Sequence, residues 1–259
     1  MDELQLSIAP GELYAQLGRA EAPVVVDARR EAASASGRLL VAAVRRSADT
    51  VQRWRGELPI DRQVVVYGVN GDKIAGEVAA ELRAVGVRAQ FLEGGIEGWI
   101  GAGLPTRRAI AGFSSQWITR ERPKIDRIAC PWLVRRFIDP GATFIYVPSA
   151  RVRDSARDLN AIPFDIEGVE LGHEGDRCSF DAFQRIFDIR DQPLDRLALI
   201  VRGADTSRHD LTPQCRGLLA ISQGLSAIFS NDHQMLECGM IVYNALYAWC
   251  RSQQHENHS

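Results

Sequence analysis

The chain has 259 residues, 46% of them hydrophobic and 25% charged, with a formal net charge of -2. That length leaves room for two domains of ordinary size, and the near-neutral balance provides no global basic field to hold nucleic acid. No basic segment followed by an apolar core opens the chain, and no apolar run approaches the roughly 18 residues of a membrane span, so a soluble, cytoplasmic protein without a membrane partner is expected.

In chain order, APVVVDARR and QVVVYG (from Gln63) are Val-rich apolar runs of buried-strand type. Between them SADTVQRWRGEL predicts a helix that Ser47 or Asp49 could cap. KIAGEVAAELRAVG places Ile74, Val78, Leu82 and Val85 at helical spacing, with Gly86 as the terminating glycine. VRAQFLEGG predicts a further strand, and this alternation implies a parallel α/β sheet. The small, weakly polar stretch from Ala109 to Gln116 reads as a linker.

Beyond it, TFIYVP and LALIVRG read as strands, and CPWLVRRFI as a helix with Pro131 in its first position. SFDAFQRIF predicts a helix capped by Ser179. PQCRGLLAISQGLSAIF predicts another, and DHQMLECGMIVYNALYAWCR a long terminal helix with Leu236, Met240, Tyr243 and Tyr247 on its core face.

VVVDARR, VVVYGVNGDKIAGEVAAELRAVG and FLEGGIEGWIGAGLP, in this order, resemble the rhodanese family. In active rhodaneses a strand like VVVY delivers a cysteine to the following loop, where backbone N–H groups stabilise its thiolate. Here Gly68 stands at that position, and no cysteine precedes Cys130. Sulfur transfer needs a sulfur nucleophile, so the resemblance implies a domain over residues 1–108 that is not a sulfurtransferase. Asp72 adds a negative charge to the loop. The domain is then a module for a protein partner, or its loop amides retain weak oxyanion binding.

From Trp117 the motifs WITRERPKIDRIACPWLVRRFIDPGATFIYVP, PFDIEGVELGHEGDRCSFDAF, LIVRGADTSRHDL and MLECGMIVYNALYAWCR resemble the C-terminal domain of ChrB-type chromate-resistance proteins. The resemblance covers residues 117–251, with 252–259 a frayed tail. It implies a chromate-resistance accessory protein that senses, binds or helps detoxify chromate or a related oxyanion. A metal-dependent redox or hydrolytic enzyme is the alternative. A chromate-responsive regulator is a third reading, disfavoured by the absence of a basic stripe or helix-turn-helix pattern. The expected fold is α/β, a rhodanese-like parallel sheet flanked by helices, followed by a second mixed, helix-rich α+β domain.

Within this second half, Cys130 before Pro131 would sit at a helix N-terminus near Arg127, Arg135 and Arg136, a setting that lowers a thiol pKa and could meet a dianion. The competing reading makes Cys130 a small buried residue and pairs the arginines with carboxylates. The five cysteines (Cys130, Cys178, Cys215, Cys238, Cys250) are odd in number and form no CxxC, which suits a reduced compartment. His173 lies between glycines among Glu170, Glu174 and Asp176, with Cys178 five residues on. It is a ligand candidate or a turn-forming residue. Asp205, with Arg202 as an anion contact, follows the run LALIVRG; the alternative reading has it cap the next segment with Thr206. His233 and Glu237 share one helix face. If Asp126, His173, Asp205 and Glu237 converge, their N/O donors suit iron, manganese or zinc.

Overall fold

A computed structural model describes residues 6–30, 37–70, 73–110 and 113–252. The contacts divide the chain into two compact units, the boundary falling after Ile110, with Arg136–Pro140 grouped with the first. Asp72, His255 and His258 lie outside the described residues.

The first unit is built on β1 (Ser7–Ile8), β2 (Val24–Asp27), β4 (Ala43–Arg45), β5 (Val64–Tyr67) and β6 (Ala89–Leu92), in the order β1-β6-β5-β2-β4. All pairings within this sheet are parallel. A short antiparallel pair, β3 (Arg38–Leu40) with β7 (Thr106–Arg108), accompanies it. β5 is buried along its whole length, which is why VVVY is uniformly apolar rather than alternating. Helices α1 (Pro10–Gln16), α2 (Val51–Trp54), α3 (Lys73–Ala84) and α4 (Gly95–Gly101) flank the sheet. Val26, Val64 and Val66 pack with Val78 and Leu82 of α3 in one cluster. Gly86 has a φ of 86°, as a residue ending a helix in the left-handed region requires. The expected helix around Val51 is shorter than the sequence suggests, four residues between two 3-10 turns, and the Ser47 side chain makes no capping bond.

The second unit has a three-stranded parallel sheet, β8 (Gln116–Arg120) between β9 (Thr143–Val147) and β10 (Ile162–Pro163). Helices α5 (Asp126–Leu133), α6 (Val152–Asp158), α7 (Ser179–Ile186), α8 (Gln192–Asp205), α9 (Gln214–Ile228) and α10 (Asp232–Ser252) complete it. Trp117 of β8 points into an aromatic cluster with Phe164, Phe183 and Phe187. Its neighbour Ile118 packs on Val152 and Ala156 of α6. The two faces of one strand thus bind the two sides of the unit.

Three expectations are corrected here. LALIVRG is the body of α8, not a strand. Leu194, Leu197, Ala198, Val201 and Ala204 are buried at helical spacing, and the Asp191 side chain accepts the Leu194 N–H at 3.3 Å to cap the helix. Pro131 does not begin a helix but lies inside α5, which starts at Asp126; a wider i→i+5 turn follows over Val134–Ile138. The residue capping α7 is Cys178, whose backbone N–H is accepted by Asp181 Oδ2 at 3.1 Å, so Ser179 is already helical.

Candidate metal centre

Asp126 opens α5, Asp205 closes α8, and His173 lies in the loop between β10 and α7. The turn between β8 and α5 brings Asp126 inward, to 1% exposure. His173 Nε2 stands 3.2 Å from Asp126 Oδ2, 3.1 Å from Asp205 Oδ2 and 3.4 Å from Asp165 Oδ1. One ring N–H cannot serve three carboxylates at once, so the acceptors around this point outnumber the donors.

The surrounding groups orient these carboxylates. The Ser179 backbone N–H, in the first turn of α7, donates to Asp126 Oδ2 at 3.2 Å, and Ser179 Oγ donates to Asp165 Oδ1 at 3.0 Å. Arg120 Nη2 donates to Asp165 Oδ2 at 2.8 Å, and Arg127 Nε lies 3.1 Å from that oxygen. Burial, then the neighbouring Asp165, pushes the Asp126 carboxyl up to about 7, against the pull of His173. Hydrogen bonds to Asp126, Asp165 and Asp205 push His173 up to about 12. Burial would raise Asp165 too, but His173, Arg120 and Arg127 outweigh it and hold that carboxyl low. The cluster therefore demands a positive centre; a proton on His173 meets that demand, and so would a cation.

A metal fits the donor set. One donor atom from each of Asp126, His173 and Asp205 can be chosen so that all lie within 4.8 Å of one another. Two bonds of about 2.0–2.2 Å to one cation span at most about 4.4 Å, a limit that the 3.2 and 3.1 Å separations of His173 Nε2 from Asp126 Oδ2 and Asp205 Oδ2 satisfy. Asp165, fixed by Arg120, Arg127 and Ser179, orients the group from outside. A cavity of about 480 Å³, lined by Arg120, Ser149, Asp165, Ile166, Glu167, Gly168 and His173, adjoins it.

Sequence reasoning named Asp126, His173 and Asp205 but missed Asp165, Arg120 and Ser179. Asp165 has a φ of 51°, a left-handed conformation that aspartate tolerates better than most residues, but no periodicity reports it. Glu237 does not join the cluster; it is exposed on α10 and pairs with Arg135 Nη1 at 2.6 Å. His233 packs edge-on to Tyr146, 5.5 Å between ring centroids.

Three of the expected anion contacts, Arg127, Arg135 and Arg202, are engaged in ion pairs. Arg127 is engaged by Asp165 and by the Glu121 carbonyl at 3.0 Å. Arg135 serves Glu237, the Ala142 carbonyl and the Phe144 ring. Arg202 makes a bidentate pair with Asp181, at 2.9 and 2.5 Å. Arg136 belongs with the first compact unit. Cys130 is fully buried in the fifth position of α5, and burial, followed by the Asp126 charge, drives its thiol well above the ordinary range. The low-pKa thiolate reading is corrected: without a helix N-terminus at Cys130, no field favours its anion.

In the first unit Gly68 follows the end of β5, and its carbonyl accepts the Ile96 N–H at 3.1 Å, while the Val69 carbonyl accepts from Glu97 at 2.9 Å. The parallel sheet with flanking helices is the rhodanese-like fold, and residues 9–102 match the rhodanese-like domain model. A rhodanese-related protein from Thermoplasma volcanium is 22% identical, with a TM-score of 0.35, over 39% of this chain and 95% of that one. A full-length protein from Lactobacillus plantarum is 29% identical, with a TM-score of 0.38, over 40% and 89%.

The helix-rich unit that bears the carboxylate–histidine cluster identifies the rest. Residues 117–250, more than half of the chain, match the family described as ChrB, C-terminal domain, and the chain belongs to that family. Protein ChrB of Cupriavidus metallidurans is 33% identical over 149 residues, which are 57% of this chain and 44% of that protein. The chain thus spans less than half the length of this relative. Among the described residues, no helix is long and apolar enough to cross a membrane.

Proposed function

We propose that this is a chromate-resistance protein whose C-terminal unit holds a divalent cation between Asp126, His173 and Asp205 and receives chromate or a related oxyanion in the adjoining cavity. The observation that carries the reading is the convergence of three aspartates on His173 Nε2, all within 3.4 Å. Hard oxygen donors with one imidazole suit iron, manganese or zinc. A bound cation supplies Lewis acidity and an attractive charge for an oxyanion. The chain's own residues then position it. Asp165 and Ser179 orient the ligands, and Arg120, paired with Asp165, lines the cavity wall. The rhodanese-like unit, with Gly68 in place of the nucleophile, is a non-catalytic module for a protein partner.

Metal content of tag-free protein, measured by mass spectrometry, tests the reading. One metal per chain is expected in the wild type and none in His173→Ala. Equal metal in both proteins, or none in either, removes the site.

A further inference from the structure

Ile125, immediately before Asp126, has φ 41° and ψ -100°. That is mirror-image extended space, open to glycine and avoided by a β-branched residue. Such a conformation persists only where its surroundings impose it. Here both polar groups of the Ile125 backbone are engaged by side chains from distant helices, and its carbonyl also accepts the Ile128 and Ala129 N–H groups of α5 at 3.1 and 2.9 Å. Its N–H donates to Ser222 Oγ of α9 at 3.0 Å, and its carbonyl accepts the Tyr243 hydroxyl of α10 at 2.7 Å. Ser222 is 3% exposed and Tyr243 2%.

The rest of the turn is tied to the same two helices. Arg122, with φ 56°, donates its backbone N–H to Asp232 Oδ2 at 3.1 Å. Its guanidinium reaches the Phe229 carbonyl at 2.7 Å and the Ser226 carbonyl at 2.5 Å. Gly239 lets α10 come close enough, since a Cβ there would stand 2.5 Å from Ile128 Cγ2 in α5. Tyr243 follows one turn later on the same face.

We propose that Tyr243 and Ser222 are positioning residues that clamp Ile125 in a glycine-like backbone conformation and thereby hold the Asp126 carboxylate against His173. The proposal rests on the metal-site reading for its consequence, but not for its geometry. Without the clamp, Ile125 relaxes to negative φ, the first turn of α5 rotates, and Asp126 Oδ2 leaves its place beside His173 Nε2. Both hydroxyls engage the backbone of the residue that precedes Asp126.

The test uses the full chain, stripped of metal and titrated with Co2+, whose visible absorption reports ligand geometry. Tyr243→Phe keeps the buried ring and removes only the clamp's donor. It should weaken Co2+ binding by up to about 10-fold, the lower end of what losing a direct outer partner of a metal ligand costs, since Tyr243 acts one peptide further out, and shift the visible band. Ser222→Ala should act in the same direction and carries the test if Tyr243→Phe does not fold. The control is Tyr247→Phe, one turn further along α10. Its hydroxyl donates to Asp191 Oδ2 at 3.0 Å, so it loses a comparable buried hydrogen bond unconnected to the turn. That variant should leave Co2+ affinity and spectrum unchanged.

Equal responses from Tyr243→Phe and Tyr247→Phe, or none from either, overturn the proposal. If the wild type binds no Co2+, the metal reading falls and the clamp is judged on metal-free protein. There the His173 Nε2–H resonance should move in Tyr243→Phe and stay in Tyr247→Phe; an unmoved resonance rejects the clamp.

Discussion

A cation at His173 should stabilise the second unit by mass action, and the size of that effect follows from the fold. The ligands come from the start of α5, a loop and the end of α8, and Asp126 and His173 alone are 47 residues apart. An unfolded chain does not bring such donors together, so the cation binds the native state alone. At 100 times its dissociation constant it then adds about 2.7 kcal/mol. For a domain of about 150 residues each kcal/mol raises the midpoint by roughly 2–4 °C, which gives about 5–10 °C. Scanning calorimetry on the full chain, with and without Mn2+, measures this. Only the transition of the second unit should move, because the first has no part in the cluster. His173→Ala should abolish the shift while retaining a cooperative transition. A wild type that does not shift, or an alanine variant that shifts as far, would refute the reasoning.

Other outcomes follow from packing and chemistry. Gly203→Ala should cost about 1–3 kcal/mol by overpacking, because its Cβ would meet Cys215 Sγ at 2.3 Å and the Arg208 carbonyl at 2.8 Å. Gly224→Ala, in the same unit with nothing within 4 Å of the new Cβ, should instead gain up to about 1 kcal/mol from helix propensity; urea denaturation reads both. In native protein an alkylating reagent should label the half-exposed Cys238 first and leave Cys130 intact. Because burial raises the Cys130 pKa well above 9, its rate should stay flat between about pH 7 and pH 9, where a thiol of ordinary pKa near 8.5 speeds up. Rapid, pH-dependent labelling of Cys130, mapped by peptide mass spectrometry, would restore it as a reactive thiol. A thiosulfate:cyanide assay should remain at background, and turnover above it would contradict the non-catalytic reading of Gly68.

The sequence by itself determined the parts of this protein whose information is local. The buried Val runs of β2 and β5, the stripe on α3 and the core face of α10 each state their structure in the spacing of their own residues. The motifs around VVVYG and IDRIACPW carry both family resemblances, and the absence of any cysteine before Cys130 is visible without coordinates. Three of the clustered residues, Asp126, His173 and Asp205, were also legible as chemistry-bearing side chains in polar or terminal settings.

Tertiary structure alone decided which of them meet. LALIVRG is apolar enough for either a strand or a helix, and the Asp191 cap and the packing of α8 against its neighbours settled the choice. Arg127 and Arg135 near Cys130 suggested an anion site until Asp165 and Glu237, distant in sequence, appeared beside them. Asp165 enters through one left-handed residue, and Asp126 is aimed by an isoleucine held where isoleucine does not go on its own. A backbone conformation that local preference opposes leaves no trace in periodicity or propensity. It exists because Ser222 and Tyr243, about 100 residues further on, supply the hydrogen bonds that make it the lower-energy state.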